Sequence, residues 1–216
     1  MTTTTTDLVP TVPHTPLARA ALTLVTSTES ASIANHSIRS YLFAMMLAGH
    51  RGVELGRELD PQLLFFACVL HDIGLTDAGN REQRFEIDGA DLAAEFLTAQ
   101  GLPAREVDSV WEAIALHTSP GIAERRGALS TFTRAGVGLD FGRDAESITD
   151  AQAASIHAAY PRLAMATSLT DAIVAQAKVR PAKAPRYSVA GELLRERAIG
   201  PSTTMEDGAA QSRWGS

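Results

Sequence analysis

Apolar residues recur along this chain at helical spacing, and no convincing alternation of apolar and polar positions marks a strand. The pattern predicts a first helix from about Pro16 to Ser27. A second begins near Ser30 and carries Ile33, His36, Ser40 and Phe43 on helical spacing through Leu47. The polar, glycine-punctuated segment Gly49 to Leu59 reads as a loop. Asp60-Pro61 is a strong helix start, with Asp as N-cap and Pro at the first helical position. That third helix is apolar almost all round, hence central, and is expected to end at Gly74. A loop from Thr76 to Arg84 precedes a fourth helix from about Glu86 to Gln100. Pro103 starts a fifth, which runs through Trp111 and Leu116 to His117 before Pro120-Gly121 break it. A sixth covers Ala128 to Asp140. Thr149-Asp150 cap a seventh that Pro161 ends, Arg162 to Ala177 form an eighth, and Ser188 to Ala198 a ninth.

The expected class is therefore all-α, a single-domain helical bundle over residues 14–199. A threonine- and proline-rich flexible arm (1–13) precedes it and a disordered tail (200–216) follows. Hydrophobic residues make up 45% of the 216, an ordinary globular composition, and scarce aromatics with abundant alanine favour helix over sheet. A net charge of −6 gives no electrostatic reason to expect nucleic acid or an anionic membrane as partner. No apolar run approaches a membrane span, and the N-terminus lacks the charged and apolar regions of a secretory signal, so a cytoplasmic protein is expected. The single cysteine, Cys68, sits in an apolar run and reads as core filler. The arm and the apolar eighth helix are compatible with a homodimer.

Against this bland background four residues stand out: His36, the adjacent pair His71-Asp72 in Leu70-His71-Asp72-Ile73-Gly74, and Asp140. Imidazole and carboxylate together suit Zn²⁺, Fe²⁺ or Mn²⁺, and an adjacent His-Asp pair is costly to bury without a compensating cation. Neighbouring residues on a helix diverge by about 100°, so both reach one ion only near a helix terminus or with different rotamers. A pair on a central helix, joined by ligands from flanking helices, is how a bundle builds a metal centre. His117 ends an apolar face, either as a histidine favoured by the helix dipole or as an acid/base or substrate-binding group. Glu86, in the first turn of its helix, either decorates the dipole or faces the metal pocket. Arg39, one turn after His36, either forms a structural salt bridge or binds substrate.

The order His36…His71-Asp72…Asp140 resembles the HD-domain superfamily of metal-dependent hydrolases. Asn35-His36-Ser37-Ile38-Arg39-Ser40-Tyr41, Phe85-Glu86-Ile87-Asp88-Gly89-Ala90 and Ala113-Ile114-Ala115-Leu116-His117 resemble its cyanamide hydratase branch. The superfamily resemblance implies metal ligation by His36, His71, Asp72 and Asp140. The branch resemblance implies one divalent ion, zinc before Fe²⁺ or Mn²⁺, and addition of water across the carbon–nitrogen triple bond of cyanamide to give urea. On chemical grounds His117 or Glu86 is expected to protonate the developing nitrogen, and Arg39 is the candidate for substrate binding. The terminal segments Met1–Pro13 and Gly200–Ser216 have no counterpart in the branch, and the alanine and glycine stretch Ala135-Gly136-Val137-Gly138 just before Asp140 bears on pocket shape and hence on the substrate.

Two other readings compete. A metal-dependent phosphohydrolase acting on a nucleotide or other phosphate ester would use basic residues such as Arg39, Arg81, Arg84 and Arg143. A dinuclear site usually needs further histidines between the His-Asp pair and the last aspartate, and only His117 lies there. A non-catalytic helical binding module would have no need to retain four ligand-type residues.

Overall fold

The computed structural model describes residues 9–215. Most of the expected arm, residues 1–8, lies outside the described residues. Residues 9–13 form no helix, and Val9 and Val12 rest against the core.

The fold is all-α, as the periodicity predicts, and the helix starts follow local chemistry. The Thr15 side chain caps α1 (Pro16–Thr28), whose first residue is proline, and Ser30 caps α2 (Ala31–His50). Asp60 accepts from the Gln62 and Leu63 amides to start α3 (Pro61–Val69). Then come α4 (Phe85–Ala99), α5 (Ala104–Leu116), α6 (Ala128–Asp140) and α7 (Asp150–Ala159), the last opened by a capping box between Thr149 and Gln152. Next are α8 (Met165–Val179), α9 (Val189–Ile199) and α10 (Thr204–Gln211).

α3 is the buried centre: Leu64 through Val69 are all solvent-inaccessible. It packs against α2, α5 and α6, while α2 and α6 form the most extensive helix pair. Gly136 makes that pair possible. A Cβ there would sit 2.2 Å from the Ser40 carbonyl oxygen, so the glycine run before Asp140 is in part a device for close helix approach. Two smaller apolar clusters join α8 to α2 and α10, and α8 to α9 and Phe85. No described helix is long and apolar enough to cross a membrane.

Three boundaries differ from expectation. α3 stops at Val69, and Ile73–Leu75 form a separate 3-10 turn, so His71 and Asp72 lie in the bend between. α8 starts at Met165 rather than Arg162, because Leu163 and Ala164 adopt left-handed conformations (φ 53° and 52°) that turn the chain before the helix. The tail expected to be disordered contains α10. Thr203 and Glu206 close a capping box there, and the Trp214 ring stacks on Phe43 with centroids 5.9 Å apart. Trp214 Nε1 donates to the Leu139 carbonyl at 2.6 Å, which fixes the tail against α6.

Candidate metal centre

The bend after α3 solves the problem posed by adjacent ligands. Freed from helical geometry, His71 and Asp72 both turn to one spot beside His36 of α2. The His71 Nε2–Asp72 Oδ2 distance is 3.1 Å and the His36 Nε2–Asp72 Oδ2 distance 3.8 Å. One ligand atom from each of the three lies within 4.8 Å of the others. All three residues are buried, and His71 Nε2 and Asp72 Oδ2 make no hydrogen bond. Orphaned buried polar atoms are expensive, so a nitrogen and a carboxylate oxygen left bare and converging fit a divalent cation well.

The histidine tautomers support the same fit. His71 Nδ1 lies 2.6 Å from the Cys68 carbonyl and His117 Nδ1 2.7 Å from the Ile114 carbonyl. A carbonyl only accepts, so both Nδ1 atoms carry a proton, and in the neutral ring Nε2 is the atom that presents a lone pair. His36 Nδ1 faces Asp140 Oδ2 at 2.6 Å and donates to it. Carbonyl or carboxylate backing of an imidazole is the usual way a metal-binding histidine is oriented. The His117 ring packs edge-on against His71, centroids 4.8 Å apart.

The structure moves two expected site residues. Asp140, expected as a fourth ligand, stands behind His36. Its Oδ1 accepts from Arg39 Nε (2.8 Å) and Arg162 Nη1 (3.1 Å), and its Oδ2 from Arg39 Nη2 (2.7 Å) and His36 Nδ1. Both oxygens are committed, so the carboxylate orients His36. Arg39, expected at the substrate, is fully buried and spends its remaining donors on the Tyr160 and Pro161 carbonyls. It does not line the cavity beside the cluster. Arg162 escaped the sequence reading because nothing marks it as other than a helical surface cation.

His117 borders the cavity beside the three converging residues. Glu86 stands behind Arg84 and Thr118, which line that cavity. Its Oε1 accepts from the Thr118 hydroxyl at 3.1 Å and lies 3.3 Å from Arg84 Nη1, while Oε2 is buried without a partner. Another carboxylate missed in the sequence, Glu29 between α1 and α2, has both oxygens buried without partners.

Burial dominates the electrostatics. It lowers the pKa of His36 despite the neighbouring Asp140 and, with the His71 charge, pushes His117 down to about 3. For His71, burial is the largest influence and works downward, but the charge and hydrogen bonding of Asp72, the Cys68 carbonyl and the Asp140 charge together outweigh it and the pKa rises. Burial alone would raise Asp72 and Asp140. His71 takes the first, and Arg39 the second, well below the usual carboxylate range. Burial raises Glu86, and burial followed by the Asp72 charge raises Glu29 well above its ordinary value.

Two glycines in the motifs explain each other. A Cβ on Gly74 would lie 2.0 Å from the Phe85 carbonyl oxygen, and one on Gly89 would lie 2.9 Å from the Gly74 amide nitrogen. The turn carrying His71-Asp72 thus seats directly on the start of α4. Asp88 keeps that start in place by accepting from the Arg81 and Gln83 amides (3.0 Å each) and pairing with buried Lys183.

A family model for the HD domain matches residues 33–177, from α2 to the last turns of α8. The chain belongs to the HD-domain family. HD-domain proteins of this kind are metal-dependent hydrolases, and the His36–His71–Asp72 cluster is a group that could hold the ion. Among curated proteins this HD-domain chain is similar to cyanamide hydratases DDI2 and DDI3 of Saccharomyces cerevisiae, each 33% identical over 91 residues. Those matches span 41% of this chain and 40% of either relative.

Proposed function

We propose that this HD-domain chain is a metal-dependent hydratase that adds water to the carbon–nitrogen triple bond of a cyanamide-type substrate to give a urea. The observation that carries this reading is the convergence of His36 Nε2, His71 Nε2 and Asp72 Oδ2, two of them bare, at the inner end of a cavity that His117 also borders. Zinc fits a donor set of two imidazoles and one carboxylate with room for solvent or substrate. When bound there, a divalent ion supplies Lewis acidity that brings the pKa of water towards neutrality.

The chain's own residues supply the rest. His117 donates its Nδ1 proton to the Ile114 carbonyl and borders the cavity, so its Nε2 is the atom placed to accept a proton from the attacking water. The same imidazole returns that proton to the nitrile nitrogen. Net, H₂N–C≡N and H₂O become (H₂N)₂C=O. Glu86, held by Thr118 and Arg84, keeps a proton to higher pH than an ordinary carboxylate and stands behind this wall as a proton reserve. Asp140, Arg39 and Arg162 hold the His36 ring in its working tautomer.

The phosphohydrolase reading loses its basic residues. Arg39 is spent on Asp140, Arg81 pairs with Glu95 at 2.7 Å and Arg84 with Glu86, which leaves Arg143 exposed at the cavity edge. Purified zinc-loaded protein given cyanamide should release urea, and His71→Ala should abolish this together with zinc binding. Cleavage of a generic phosphodiester without any urea formation would transfer the assignment to the phosphohydrolase.

A further inference from the structure

The cavity in front of the cluster is far larger than cyanamide needs. It measures about 1020 Å³ and reaches from His36, His71, Asp72 and His117 outward to α9 and α10. Sites of about 300–1,000 Å³ accommodate drug-sized molecules. A molecule with three heavy atoms occupies on the order of 100 Å³, judged from about 30 Å³ per water.

The walls also differ in chemistry along the cavity's length. The inner end carries the nitrogen and oxygen donors. Beyond it, Val137, Phe141, Leu169, Ile173, Leu193 and Met205 form an apolar stretch of wall, with Arg134, Arg143, Glu192 and Glu196 also lining the cavity. The C-terminal segment contributes Met205 to this wall and is anchored to the rest of the fold. Arg162 Nε donates to the Gly215 carbonyl at 3.1 Å, and Arg213 Nη1 donates to the Ala145 and Ile148 carbonyls at 2.8 and 2.6 Å. Gly138 borders the cavity as well. A Cβ there would meet only the Arg143 side chain, at 3.7–3.8 Å, so no packing contact requires glycine at that position.

Resting on the hydratase reading above, we infer that the substrate is an N-substituted cyanamide, R–NH–C≡N, whose R group is an apolar alkyl or aryl body of several carbons lying between α6, α8, α9 and α10. Water adds as before: the C–O bond forms, the nitrile nitrogen takes both protons of the water, and the product is the monosubstituted urea R–NH–C(=O)–NH₂. The reacting end sits at the donor cluster and the body displaces water from the apolar walls.

The test compares cyanamide with N-methyl-, N-butyl- and N-benzylcyanamide on the zinc-loaded protein, and in parallel measures calorimetric binding of the matching ureas. Burial of apolar surface should raise kcat/KM by roughly fourfold per methylene, so butyl should exceed methyl by about 60-fold. Urea affinity should climb along the same series. Gly138→Leu places a side chain at the cavity wall and should lower the benzyl-to-methyl ratio by about tenfold or more. Gly208→Leu, in α10 where a Cβ meets nothing within 4 Å, provides a second filling variant should the first fail to fold. Turnover of cyanamide with no gain from methyl to butyl, and flat urea affinities, would overturn the inference while leaving the hydratase intact. A rising urea series with no turnover of any nitrile would keep the apolar subsite and reject the hydratase reading.

Discussion

Replacing Asp140 by asparagine separates a residue that orients a histidine from one that binds a metal. In the folded chain this carboxylate is the counterion of two buried arginines, Arg39 at 0% exposure and Arg162 at 7%, and it also accepts from His36. Asparagine keeps the shape and one acceptor but removes the charge. Stranding buried charges by removing their partner costs about 3–5 kcal/mol. The retained amide oxygen places the expected loss near the lower end, about 3 kcal/mol. For a chain of this size each kcal/mol corresponds to about 2–4 °C in Tm, so the metal-free variant should melt about 6–12 °C below the metal-free wild type. Loss of the group that backs a metal-binding histidine typically weakens metal affinity by about 10–100-fold without eliminating it. Urea denaturation of the metal-free proteins and zinc competition against a chelator read the two effects separately. The reasoning fails if Asp140→Asn leaves metal-free stability unchanged, or if the folded variant binds no zinc at any concentration.

Three further outcomes follow from other parts of the structure. His117 titrates near 3 when folded and near 6.5 when unfolded, so its contribution is complete above pH 6.5 and declines as the pH falls towards 3. It accounts for about 1.4 kcal/mol of lost stability per pH unit in that window, and metal-free His117→Gln should show a shallower decline; an unchanged slope between pH 6 and 4 would contradict this. Gly74→Ala drives a Cβ into the Phe85 carbonyl and should cost about 1–3 kcal/mol as α4 is pushed away, measured by thermal melting; a neutral effect would mean the turn and α4 are not in contact. Lys183→Met strands buried Asp88 and should cost about 3 kcal/mol or more, with most of it recovered in the Asp88→Asn/Lys183→Met double variant; strictly additive losses would refute the pairing.

Much of the fold was legible because its punctuation is local. Asp60-Pro61, Ser30 and Thr149 start helices through their own side chains, and the all-α class followed from periodicity alone. The convergence of His36, His71 and Asp72 was legible too, since two adjacent ionisable residues at the end of an apolar helix demand a partner. What the sequence withheld depends on contacts across the chain. Asp140 and Arg39 carry the right groups for ligand and substrate roles, and only their proximity to each other and to Arg162 assigns both to positioning His36. α10 was misread because its polar composition resembles a tail. Its capping box was present in the sequence, but the contacts of Trp214 with Phe43 and Leu139 that secure the segment are tertiary. The left-handed pair Leu163-Ala164 breaks an otherwise continuous helical pattern without a glycine to announce it.

The most direct measurement is zinc anomalous diffraction from crystals of the metal-loaded protein. A single peak is expected at about 2.0–2.2 Å from His36 Nε2, His71 Nε2 and one oxygen of Asp72, with Asp140 still hydrogen-bonded to His36 Nδ1 and outside the coordination sphere. A peak that lies away from any of those three atoms, or that takes an Asp140 oxygen as a ligand in place of its bond to His36, would contradict the account.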